Sequence, residues 1–155
     1  MIAPEASETL DQDGAQALAA TYFQALMAHD AESLSEVVGV PHTMDSACDV
    51  AIDLEALLRQ AAGFSETGEV EVTLLREVEG PDGLDGDLAS YWAQLDPEPG
   101  SCGSAEDDDA IALAGSYPRR VFVAQLEGEA IPPGFQTLVR LSLIDGHWRV
   151  TGAGF

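Results

Sequence analysis

The sequence contains no lysine and no asparagine. Its six cations are all arginine: Arg59, Arg76, Arg119, Arg120, Arg140 and Arg149. Against them stand 28 acidic residues, for a formal net charge of −22. Nucleic acid and anionic membrane both need cationic neutralisation, so neither is expected as a partner. Lysine and asparagine use A/T-rich codons, so their joint absence fits a GC-rich, bacterial-type genome. That bias normally raises arginine, and arginine is not raised here. An added pressure against positive charge is therefore expected, and high-salt adaptation is one form of it. An acidic surface kept for solubility is the other.

Cysteine is scarce too, with Cys48 and Cys102 only. There is no Cys-x-x-Cys and no Cys/His cluster, so no zinc site is expected. The two thiols stay reduced in a cytosolic protein and can pair in an exported one. A disulfide between them is worth roughly 4 kcal/mol in the chain-entropy account. Long apolar runs are absent: no stretch approaches the ~20 residues of a membrane helix. Residues 1–12 lack a basic start and an apolar run, so they do not read as a signal peptide. The default compartment is the cytoplasm, and an exported protein would need a leader ahead of this sequence.

What remains is ordinary for a globular chain. A length of 155 residues suits one domain. Hydrophobic content of 46% argues against wholesale disorder. Residues 1–12 read as a flexible acidic tail, and 13–155 as a single domain.

Ala15, Leu18, Ala19, Tyr22, Phe23 and Leu26 carry the spacing of a buried helical stripe that ends near His29. Asp30 reads as the N-cap of a short second helix that Gly39 and Pro41 stop. Residues 41–46 read as a short strand. Asp53 caps a third helix, with Leu54, Leu57, Leu58 and Ala61 on one face. Val70, Val72 and Leu74 alternate with polar residues, as in a half-buried strand over 69–78. Asp87 can cap a helix in which Leu88, Tyr91, Trp92 and Leu95 share a face. Residues 96–109 read as a surface loop. Strands follow at 120–127, 136–144 and 147–151, the last two joined by Asp145-Gly146, a strong hairpin signal.

Two segments, "ATYFQALMAHDAESLSEVV" and "LVRLSLIDGHWRVTG", resemble the first two helices and the closing hairpin of the nuclear transport factor 2-like superfamily. The resemblance covers 13–79 and 117–155, with 80–116 as an acidic insertion before the last three strands. It implies a cystatin-like α+β fold: three N-terminal helices packed on a curved, mostly antiparallel sheet that forms a cone. The superfamily includes isomerases, dehydratases, polyketide cyclases, epoxide hydrolases, transport factors and ligand binders, so the fold leaves the activity open.

The sharpest enzymatic comparison within it is ketosteroid isomerase. Tyr22 stands eight residues before Asp30, the spacing of that enzyme's oxyanion-hole tyrosine to its own turn. A buried tyrosine hydroxyl can donate to a developing enolate oxygen. The base position falls on Ser46, and Asp45 stands one residue early, which on a strand is the opposite face. The second acid of that oxyanion hole has no counterpart. His42 with Asp45 is a further candidate acid–base pair, although strand alternation turns the two apart. In each case a core tyrosine or a satisfied histidine is the plainer alternative. Trp92 and Arg140 are candidate pocket residues, Arg140 for an anionic ligand, although with so many acids competing for six arginines a carboxylate partner is the plainer alternative for it. Tyr91, Trp92 and Leu95 form either a lid or a core face. The acids at 82, 85, 87 and 106–109 do not match an EF-hand loop and read as solvated charge.

Two functions fit. One is a non-catalytic module binding a small apolar ligand or a partner. The other is a small lyase, isomerase or cyclase using Tyr22 with His42 or Asp45. No cofactor is implied, and a homodimer through the sheet is a possible assembly.

Overall fold

The computed structural model describes residues 10–44, 46–62, 69–80, 82–84, 86–95, 105–129 and 131–154. Asp45 and Cys102 lie outside the described residues, as does the side chain of Cys48, so the expected Asp45 site and the Cys48–Cys102 pairing lie outside them too.

Helix α1 spans Gln12–Ala28. Asp11 caps it by accepting from the Gly14 amide at 2.7 Å, which satisfies one of the orphan donors of the first turn. His29 ends it in the left-handed region at φ 56°, its amide turned back to the Ala25 and Leu26 carbonyls. Asp30 then caps α2, Ala31–Val37, through the Ser33 amide at 3.2 Å. The compact His29-Asp30 junction folds α2 back on α1. Asp53 starts α3, Leu54–Ala62, by accepting from the Ala56 amide at 2.8 Å.

The strands are β1 Val38–Met44, β2 Ser46–Ala51, β3 Glu71–Val78, β4 Arg119–Glu127, β5 Gln136–Ile144 and β6 His147–Gly154. Between β3 and β4 lie α4, Asp87–Leu95, and α5, Ala105–Gly115. The sheet runs β2-β1-β6-β5-β4-β3. Every pairing is antiparallel except β1 with β6. The sheet is curved and open, and the fold is α+β.

Two expectations are corrected. The strand expected over 41–46 is β1, Val38–Met44, and a further strand, β2, Ser46–Ala51, follows it before the third helix. The acidic run 106–109 belongs to helix α5 rather than to a loop. That helix is fixed by packing: Ala110, Ile111 and Ala114 are buried, and α5 meets β1 and β2.

Both faces of the central strands are covered. On β4, Phe122, Ala124 and Leu126 join the larger core with α1, whereas Val121 and Val123 face the other way. On β5, Val139 and Leu141 join α1, and Leu138 faces the other way. The second face is filled from the insertion: Leu84 and Leu95 are buried there, with Leu88, Tyr91 and Trp92 half-buried beside them. A bulge between Leu74 and Arg76 makes β3 follow both sides, with Val72 and Leu74 on the α1 side and Val78 on the α4 side. Helix α1 is tied to β3 by glutamines. Gln16 donates to the Val72 carbonyl and accepts from the Leu74 amide at 2.8 Å, and Gln24 accepts from the Val70 amide at 3.0 Å. These bonds pair backbone groups that an edge strand otherwise exposes.

Candidate functional site

Tyr22 and His42 meet in the core beneath α1. The stripe of α1 carries Tyr22 inward between Ala19, Phe23 and Leu26, all fully buried. Its ring stands edge-on to Phe23 at 5.0 Å between centroids. On β1, alternation sends His42 to this side and Thr43 to the other. The Tyr22 hydroxyl and His42 Nε2 are 3.0 Å apart, and both residues are 0% exposed. His42 Nδ1 has no hydrogen-bond partner among the described residues.

Burial, with a smaller contribution from the positive charge of Arg140, pushes the His42 pKa down to about 3. Burial raises the Tyr22 phenol far above its ordinary value, and Arg140 opposes that only in part. Both rings are therefore neutral near pH 7. With a neutral imidazole, Tyr22 O–H donating to Nε2 satisfies both partners and leaves one group unmet, the Nδ1 N–H. The reverse arrangement strands both the phenol proton and the Nδ1 lone pair. We assign the first.

Arg140 and Trp92, the candidate pocket residues, lie with the α4 side of the sheet, opposite the Tyr22–His42 pair. The cause is strand alternation on β5 together with a bulge in β6 between Val150 and Gly152. Arg140 is 2% exposed. Its Nη1 donates to the Leu95 carbonyl at 2.6 Å, at the last residue of α4. Nη2 donates to the Thr151 carbonyl at 2.8 Å and reaches Thr43 Oγ1 at 3.4 Å, and Nε donates to Thr151 Oγ1 at 3.0 Å. Ser142 and Thr151 hydroxyls share a bond of 2.6 Å. A cation at a helix C-terminus meets the negative end of its dipole, so Arg140 acts as a cap for α4. Gly152 makes room for this contact: a Cβ there would stand 2.6 Å from Leu95 Cδ1 and 2.8 Å from the Thr43 carbonyl oxygen. The sequence carried no signal for Thr43, Thr151 or Gly152, because their roles depend on which helix covers that face.

Among the surface clefts are these three, lined by described residues. One of about 480 Å³ lies along α1 and α2 beside Thr21, Gln24 and Asp30. One of about 540 Å³ lies between α4 and the β4–β5 connection, beside Arg76, Tyr91 and Phe135. The third, about 140 Å³ and apolar, lies between α2 and α3 at Leu34, Leu58 and Ala61. None of the three reaches Tyr22, His42 or Arg140. Among the described residues no group of three or more His, Cys, Asp or Glu is placed to hold a metal ion. No described helix is long and apolar enough to cross a membrane.

Helices packed on a curved, mostly antiparallel sheet make an α+β fold, as the resemblance of the two sequence segments implies. No protein-family model matches the chain, and no curated protein matches it. Similar solved structures include a de novo designed protein with a curved β-sheet, at 14% identity and a TM-score of 0.46, covering 90% of this chain and 95% of that one. A nuclear transport factor 2-like protein of unknown function from Shewanella baltica is 10% identical, with a TM-score of 0.43 over 88% of this chain and 85% of its own. A protein assigned provisionally as a ketosteroid isomerase, from Kribbella flavida, is 15% identical, with a TM-score of 0.42 over 93% of this chain and 77% of its own. These likenesses concern the path of the chain and carry no activity to it.

Proposed function

We propose that this chain is a non-catalytic binding module that takes a small apolar ligand by opening its core beside Tyr22 and His42, which none of the described clefts reaches. The observation that supports it most is the buried pair itself: a neutral imidazole whose Nδ1 has no partner among the described residues, set in the core beside Tyr22. A buried polar atom without a partner costs about 1–3 kcal/mol, so a ligand that meets it binds with a gain that water at the surface cannot match. The complementary ligand is apolar with one hydrogen-bond acceptor. Acid–base chemistry is disfavoured by the same features. An imidazole pushed down to about 3 is a weak base, and Tyr22 is committed to His42.

The second reading is an isomerase, lyase or cyclase in which Tyr22 donates to a substrate oxygen with His42 or Asp45 behind it. The 3.0 Å Tyr22–His42 contact favours keeping it, since a histidine can orient a donor. Titration with Nile red, a neutral apolar dye, tests the first reading. Saturable binding is expected in the wild type, weakened severalfold in His42→Phe. Equal binding by both proteins, or none by either, overturns it. Turnover of 5-androstene-3,17-dione that is lost in Tyr22→Phe would establish the second reading instead.

A further inference from the structure

Two local devices shape the cleft of about 540 Å³ between α4 and the β4–β5 connection. The first is the bulge between Leu74 and Arg76. Unbroken alternation would carry Arg76 to the α1 side with Val72 and Leu74. The bulge instead sets Arg76 opposite Val123 and Val78 opposite Val121, on the α4 side, and so brings Arg76 to the cleft. The second is the turn at Pro133 and Gly134. The Phe135 amide donates to the Pro132 carbonyl at 3.2 Å, and Gly134 stands at φ 73°. Proline followed by a left-handed glycine is the pattern of a type II turn, and the fixed proline angle stiffens that wall. The Phe135 carbonyl accepts from the Leu126 amide at 3.0 Å, which ties the wall to β4. Leu88, Tyr91 and Phe135, all half-buried, line the apolar part. Two opposite charges, Arg76 and Asp87, line the same cleft and are both exposed. They form no ion pair with each other, and neither is paired with another described residue. With 28 acids to six arginines, carboxylates are abundant, and Arg76 nonetheless takes none of the described ones. Asp87 stands one turn before Tyr91 on α4. Burial, together with that charge, raises the Tyr91 phenol above its ordinary value, so its hydroxyl stays a neutral donor.

We propose that this cleft binds a small zwitterion with an aromatic body, of which a free aromatic amino acid is the simplest. The carboxylate meets the Arg76 fork, the ammonium meets Asp87, and the ring lies against Leu88, Tyr91 and Phe135. A simple anion is disfavoured by the net charge of −22, and a simple cation is repelled by Arg76. A zwitterion answers both charges and carries none of its own. The volume falls within the roughly 300–1,000 Å³ of small-molecule sites. The cleft does not reach Tyr22 or His42, so this binding is independent of the ligand proposed for the core.

The test titrates the full chain into para-fluorophenylalanine at low salt and follows the ligand by fluorine NMR. A saturable shift is expected with the wild type, weakened severalfold in Arg76→Gln and in Asp87→Asn. Two altered ligands read the same contacts from the other side. The N-acetyl derivative lacks the ammonium and the amide lacks the carboxylate, and each is expected to bind severalfold more weakly than the parent. No saturable binding by the wild type overturns the proposal, as does equal binding by the wild type and both variants. An amide bound as tightly as the parent also overturns it, since the cleft would then be a cation site at Asp87. Arg76 and Asp87 are exposed, so both variants are expected to keep the wild-type circular dichroism. Should either lose it, the altered ligands on the wild type decide alone.

Discussion

His42 offers a linkage experiment whose magnitude comes from its environment. In the unfolded chain it titrates near its ordinary value of 6.5, and in the folded chain near about 3. The folded state therefore refuses a proton that the unfolded state accepts. Stability is whole above pH 6.5 and falls as pH drops toward 3, at about 1.4 kcal/mol per pH unit. From pH 8 to pH 5 the loss comes to roughly 2 kcal/mol, or about 4–8 °C in Tm for a domain of this size. The carboxylates also titrate at the lower end, so the informative quantity is a difference between two proteins. His42→Gln keeps a polar partner for Tyr22 and does not titrate. Urea unfolding of both proteins at pH 8, 7, 6 and 5 gives the comparison. The wild type is expected to lose about 2 kcal/mol more than the variant over that range. Parallel pH profiles would refute the reasoning, because they would mean that His42 takes up its proton while folded.

Three further outcomes follow from other parts of the molecule. Tyr22→Phe leaves both nitrogens of a buried imidazole unmet and is expected to cost about 1–3 kcal/mol in urea unfolding, with little loss if Tyr22 does not hold His42. Gly152→Ala drives a methyl into Leu95 and the Thr43 carbonyl and is expected to cost about 1–3 kcal/mol while shifting Trp92 emission; a neutral effect would mean that α4 does not press on β6. Because self-repulsion at −22 acts over about 30 Å at 0.01 M salt, Tm is expected to rise steeply between 0.01 and 1 M sodium chloride. A flat curve would remove the case for high-salt adaptation.

The parts legible in the sequence were those set by local chemistry. Asp145-Gly146 fixed the β5–β6 hairpin, since a two-residue turn with positive φ at both positions favours that pair. Asp30 and Asp53 mark helix starts because each side chain meets an amide three residues on, whereas Asp11, the cap of α1, was read as part of the tail. The less legible parts were set by tertiary contact. β2 has a short, mixed sequence, SACDVA, and is a strand because β1 pairs with it. Helix α5 begins in an acid run that reads as solvated loop, and its burial against β1 and β2 decides otherwise.

The site divides in the same way. Helical spacing makes Tyr22 a core-facing residue, and strand alternation turns His42 away from its neighbours, but only the packed fold brings the two to 3.0 Å. Alternation also gave Leu138, Arg140 and Ser142 a common face. It did not say which helix lies over that face. Arg140 therefore read as a pocket residue or a carboxylate partner in the sequence and caps α4 in the fold.

The central claim is a neutral, buried His42 whose Nε2 accepts from Tyr22. Nitrogen-15 NMR of the histidine rings between pH 8 and pH 4 tests it most directly. A His42 ring that stays neutral throughout, protonated at Nδ1 and bare at Nε2, is the expected result. A His42 ring that becomes imidazolium near pH 6.5 would contradict it.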